Sequence, residues 1–109
     1  PRPGRKIAYT GDTRPTKTTI ETVSGFDLLI HDSTFTEEYQ QRAKLTGHST
    51  ALEAAEIATK ADISHLVLTH ISSRFSGNSN LLLNEAKTRF NGELTLAHDG
   101  LEIDIPYVD

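Results

Sequence analysis

The chain has 109 residues, no Cys, Met or Trp, and a formal charge of −4 at pH 7. The lack of cysteine excludes disulfides and thiolate zinc sites, and 15 Asp and Glu against 11 Lys and Arg is not the basic footprint of a nucleic-acid binder. No run approaches the ~20 apolar residues of a membrane helix, and no basic-plus-apolar leader is present, so the expected location is cytoplasmic with no membrane partner.

One small domain of this length buries roughly 65% of its unfolded surface. Only 36% of residues are hydrophobic, which is thin for independence. The chain starts at Pro1 without methionine and reaches a strand candidate at once. It therefore reads as a single partial domain over 1–109, with an upstream half missing.

In chain order, Lys6 to Thr10 is a short strand, and Gly11 to Pro15 a turn. Thr16 or Thr18 caps a helix through Val23, which Gly25 ends. Phe26 to Ile30 is a second strand running into His31-Asp32-Ser33-Thr34. Glu37 to Lys44 is polar, either a helical turn or a loop, and Thr46 to Thr50 is another polar turn. Ser49 or Thr50 then caps a helix, with Glu53 completing a capping box and Leu52, Ala55, Ile57, Ala58 and Ala61 facing inward. Ser64 to Thr69 is a third strand. Asn80 caps a helix to about Phe90, with Leu82, Leu83, Ala86 and Phe90 inward, and Asn91-Gly92 closes it. Glu93 to Ala97 and Leu101 to Ile105 form strands four and five, joined by the turn His98-Asp99-Gly100 as an antiparallel hairpin. The alternation of helices and strands predicts an α/β fold.

Polar residues follow several strands immediately, where open α/β sheets place their ligands. Asp12 is either a turn aspartate bonding its own backbone or a metal ligand able to bridge two cations. His70, at the end of an apolar strand, is either packed and hydrogen-bonded or a ligand. Ser72, Ser73 and Arg74 after it combine hydroxyls with a guanidinium, a compact anion site. His48, in a turn before a helix, is either a surface residue or a general acid, with Asp32 as the carboxylate that orients it. His31 and His65 read as structural, and His98 and Asp99 as hairpin closure or support behind the site. Asp12 and His70 supply at most two ligands, whereas a catalytic zinc usually takes three.

The motifs GDTRP (11–15), HDSTF (31–35), GHST (47–50), LTHISSRF (68–75) and AHDG (97–100) occur in this order. Together they resemble ribonuclease Z, the tRNA 3′-processing endonuclease of the metallo-β-lactamase fold, in its carboxy-terminal half. GDT is widespread in that fold; GHST and the Ser-Ser-Arg-Phe element are more specific. The resemblance implies half of an αββα sandwich, about five strands with flanking helices. It implies two zinc ions bridged by Asp12, with His70 a ligand of one. His48 would assist proton transfer to the departing 3′ oxygen, paired with Asp32, and Ser72, Ser73 and Arg74 would lie near the RNA. Family members often carry Glu and Ala where this chain has Asp32 and Ser33.

The family's histidine-rich zinc motif, its general-base aspartate and its tRNA-clasping arm are absent here. In the intact enzyme two zincs would hold a hydroxide for attack on the phosphodiester 3′ of the discriminator nucleotide. The expected partners are precursor tRNA, the upstream half and a second copy in a homodimer, and the 109 residues alone are expected to be inactive. The alternatives are another hydrolase of the same fold, acting on a phosphodiester, lactone or sulfate ester, and a non-catalytic scaffold half.

Overall fold

The computed structural model describes residues 6–10, 14–72, 75, 78 and 80–97. Among them, four strands form one parallel sheet in the order β1-β2-β3-β4. They are β1 Ile7–Tyr9, β2 Leu28–Asp32, β3 His65–Thr69 and β4 Glu93–Leu96. The connections carry α1 Lys17–Val23, a 3-10 turn Glu37–Tyr39 leading into α2 Gln40–Thr46, α3 Ala51–Lys60 and α4 Asn80–Lys87. Parallel neighbours need such crossovers, so the expected α/β layering is what the chain adopts. Strand five and the hairpin turn before it lie outside the described residues.

The core follows from period-two alternation in the strands. Leu29 and Leu66 are register partners, and Leu68 lies beside His31. Leu29, Leu66 and Leu68 pack with Ala54, Ala55, Ile57 and Ala58 of α3 and with Leu82 and Ala86 of α4. Leu52 was expected in this face but is only half-buried; Ala51 and Ala54 are buried in its place. The helix thus turns its alanine stripe inward.

The helix limits have local causes. Thr16, not Thr18, caps α1 by accepting from Thr19 N–H at 3.0 Å. Thr50 caps α3, and Glu53 returns the bond to the Thr50 N–H, completing the capping box. The Glu37–Lys44 stretch is helical, and α2 ends at Gly47, whose φ of 77° is left-handed. Its one buried residue is Ala43, so its apolar signal is faint.

Gly92 is needed for space and not for its φ. A Cβ there would lie 2.5 Å from the Phe90 ring and 2.8 Å from the Ser64 carbonyl oxygen. The backbone oxygen cannot move aside as a flexible side chain could. Gly92→Ala is therefore expected to destabilise the fold by ~1–3 kcal/mol through overpacking, read as a shift of the urea midpoint at unchanged slope.

His65 is held inside the sheet, its Nε2 2.7 Å from Thr95 Oγ1 on β4 and its Nδ1 3.6 Å from a Glu93 carboxylate oxygen. That is the structural placement expected for it. The consequential difference lies in β2, which continues past Ile30 through His31 and Asp32. Asp32 pairs with Thr69 as the last rung between β2 and β3.

Candidate active site at the carboxyl ends of the strands

Asp32 stands at the end of a central strand with no solvent exposure. A buried carboxylate is costly unless its lone pairs are occupied. Oδ1 accepts from the Thr34 N–H at 3.0 Å and from the Thr34 hydroxyl at 2.6 Å. Oδ2 accepts from His48 Nδ1 at 2.9 Å. The shorter acid therefore reaches His48 directly, because the strand delivers it to the site.

These bonds fix proton positions. The Thr34 hydroxyl gives its only hydrogen to Asp32, so its oxygen acts as acceptor in the 3.0 Å contact with His70 Nδ1. In that contact His70 Nδ1 is the donor, which sets the ring's orientation and places a proton on Nδ1. By the same logic His48 donates through Nδ1, leaving Nε2 to face elsewhere. One carboxylate thus orients two imidazoles, His48 directly and His70 through Thr34. The rings of His48 and His70 stack with centroids 4.8 Å apart and planes 18° apart.

Backbone bonds hold the three loops together. Ser33 N–H donates to Thr69 O, Ser72 N–H to Thr34 O and Ala51 N–H to Phe35 O. His70 closes β3 with a φ of 58°, a left-handed conformation uncommon outside glycine. Phe35 packs against His48, with centroids 6.5 Å apart. Arg14 reaches in from the segment after β1. Its Nη1 donates to His48 O at 2.7 Å and to Glu53 Oε1 at 2.8 Å, and its Nη2 donates to Glu53 Oε2 at 2.6 Å.

The donor chemistry suits a metal. His70 is exposed and is backed through Nδ1 by a hydroxyl on a carboxylate, the support that metal-binding imidazoles use. Ligand atoms of Asp32, His48 and His70 all lie within 4.8 Å of one another. Two of the three are already committed to each other, since Asp32 and His48 form a 2.9 Å pair. His70 is the member of the trio that stands outside that pair.

Two titratable groups nearby are shifted. Burial pushes the Glu85 carboxyl up, opposed by N–H bonds from Glu37 and Leu52 and reinforced by the charges of Glu37 and Glu53. Glu85 thereby ties α4 to the start of α3 and to the 3-10 turn. Burial likewise holds the His31 imidazole below its usual range, against the raising effects of the Asp32 carbonyl and the Asp32 and Glu53 charges. His31 Nδ1 must donate to the Asp32 carbonyl at 2.8 Å, while Nε2 is buried without a hydrogen-bond partner among the described residues.

That arrangement has a pH consequence. Below the ordinary imidazole pKa near 6.5 the unfolded chain takes up a proton that native His31 resists. Stability contributed by the neutral ring is intact above that pKa and lost as pH falls through it, by at most ~1.4 kcal/mol per pH unit. Urea melts of the full-length protein at pH 7 and 5.5 should show His31→Asn losing less stability on acidification than the wild type. Equal losses would remove His31 as a cause.

Of the expected site residues, the structure brings together Asp32, His48 and His70, with Ser72 bonded to the same turn through its backbone. Asp12, Ser73, Arg74, His98 and Asp99 lie outside the described residues. Sequence reasoning missed Thr34 and Arg14. HDSTF and GDTRP contained both, but a threonine and an arginine in polar turns carry no spacing signal of their own.

Residues 1–71 match the model of the beta-lactamase superfamily domain. Ribonuclease Z of Haloferax volcanii is 50% identical over all 109 residues, which cover 34% of its length. The metallo-beta-lactamase fold protein YhfI of Bacillus subtilis superposes with a TM-score of 0.81 at 34% identity, covering 90% of this chain and 39% of that one. Human tRNase Z, short form, superposes with a TM-score of 0.73 at 34% identity, covering 94% of this chain and 34% of that one. The chain thus spans about a third of the length of the ribonuclease Z relatives it matches. Matched over most of its residues, with parallel strands ending in an Asp-His-His cluster, the chain belongs to the beta-lactamase superfamily.

Proposed function

We propose that this chain is part of a zinc-dependent endoribonuclease that cleaves precursor tRNA 3′ of the discriminator nucleotide and leaves a 3′ hydroxyl. The observation that carries the reading is the shared carboxylate: Asp32 orients His48 directly and His70 through Thr34. Similarity of all 109 residues to about a third of the length of ribonuclease Z relatives supports the choice of substrate.

His70 Nε2 and Asp12 would hold zinc, with Asp12 bridging two ions and upstream residues completing the set. Bound zinc would supply activated water and neutralise charge on the phosphodiester. The chain's own part is proton delivery. His48, held through Nδ1 by Asp32, presents Nε2 to the departing oxygen. An RNA 3′ oxygen is a poor leaving group as an alkoxide, so a proton placed there contributes ~10²–10⁴-fold. Ser72, Ser73 and Arg74 would grip the phosphate or terminal nucleotides.

The 109 residues would be a partial domain, acting in the cytoplasm within a homodimer of the full-length protein. Among the described residues no helix is long and apolar enough to cross a membrane. The test is cleavage of an end-labelled precursor tRNA by the full-length zinc-loaded protein. One cut after the discriminator, abolished by chelation and absent with the isolated chain, is expected. An intact precursor under those conditions would overturn the reading.

A further inference from the structure

We propose that Arg14, together with Glu53, is a positioning residue for His48, bracing the loop that presents the proton donor against the segment after β1. The inference rests on the proposed role of His48, and its test separates the two.

The brace makes three bonds, one to the loop that carries His48 and two to the first turn of α3. Arg14 Nη1 holds the His48 carbonyl, and both its terminal nitrogens hold the Glu53 carboxylate. Glu53 Oε1 in turn accepts from the Thr50 N–H at 2.9 Å. The His48 N–H donates to Ala43 O at 2.9 Å, and Nδ1 donates to Asp32. Backbone and ring are therefore held from both sides, and Nε2 is left with one direction. Remove the guanidinium, and the carbonyl side of His48 loses this anchor.

An exposed ion pair is worth little. This one is bidentate and mostly covered, with side chains 28% and 13% exposed. Its third acceptor is an uncharged carbonyl, that of the residue presenting the ring. Pure charge pairing does not require that contact. It needs the planar fork of arginine, which lysine lacks. Arg14 also lies two residues beyond Asp12, so the same side chain joins the ligand-bearing segment to the proton donor's loop.

A proton matters only when the leaving group needs it, so two substrates separate positioning from general damage. With full-length zinc-loaded protein, kcat is measured on precursor tRNA and on bis(p-nitrophenyl) phosphate, whose p-nitrophenolate leaves unaided. Arg14→Ala is expected to lose ~10–100-fold in kcat on tRNA, the part of general-acid catalysis that depends on placement. Its loss on the aryl ester should be at least tenfold smaller, with tRNA KM within about twofold and zinc content unchanged. Arg14→Lys should resemble Arg14→Ala. Glu53→Gln, which keeps the capping box, gives the same readout if Arg14→Ala folds poorly. His48→Ala is the reference and should show the same selectivity, more strongly. Equal losses on both substrates for the Arg14 variants, with His48→Ala still selective, overturn the brace alone. Loss of zinc in Arg14→Ala overturns it too, since Arg14 would then serve the Asp12 segment. A non-selective His48→Ala overturns the proton-donor reading and the brace with it.

Discussion

Asp32→Asn in the full-length protein is expected to lower single-turnover cleavage of precursor tRNA by ~10²–10⁴-fold, the span of general acid–base catalysis. The side chain keeps its shape, so packing is not the cause. Asparagine has one carboxamide oxygen where Asp32 has two acceptors. Two donors from Thr34 converge on Oδ1 and one from His48 on Oδ2. The amide oxygen takes the doubly bonded position, and the NH2 then faces His48 Nδ1. That ring must accept there, which reverses its tautomer, and it loses the negative charge that stabilises its protonated form. Thr34 can still receive His70, so bound zinc should be retained. Retention also separates this role from direct metal ligation by Asp32, which the clustering of its oxygen with His48 and His70 allows on distance alone. Zinc loss would assign Asp32 to the metal; cleavage within about threefold of wild type would remove the Asp32–His48 pair from the reaction.

The parts of this site legible in the sequence are those that repeat a local rule. An apolar run ending in Asp or His announces a strand with polar groups at its tip, and β2 with Asp32 and β3 with His70 follow that rule. Thr50 and Glu53 announce a helix start, which puts His48 just before it. What stayed hidden depends on distant partners. Thr34 acts because its hydroxyl points one way to Asp32 and its lone pair the other way to His70, 36 residues later. No spacing along the chain encodes that direction. Arg14 is similar: in GDTRP it reads as one residue of a turn, and its partners lie 34 and 39 residues away. Helix α2 was ambiguous because burying Ala43 alone makes almost no stripe. Leu52 misled for the opposite reason, since its size suggested a core position while the sheet left room for alanines.

Thr34→Val tests the hidden link. Valine is nearly the same shape, and the position is almost dry, with Thr34 5% exposed. Asp32 keeps the backbone N–H of residue 34 and its bond to His48, so the proton-delivery pair survives. His70 loses the acceptor for Nδ1. That bond no longer fixes the ring's proton on Nδ1, and only one tautomer offers Nε2 to a metal. Groups that hold a metal-binding histidine from behind contribute ~10–100-fold in affinity, and a zinc titration of the full-length protein should show a weakening of that size. Added zinc should then restore most of the cleavage, whereas Asp32→Asn should gain little from the same addition. Thr34→Ser, which keeps the hydroxyl, should bind zinc close to wild type. If Thr34→Val binds zinc normally, the relay does not set the state of His70, and its left-handed backbone and the stacked His48 ring suffice to orient it.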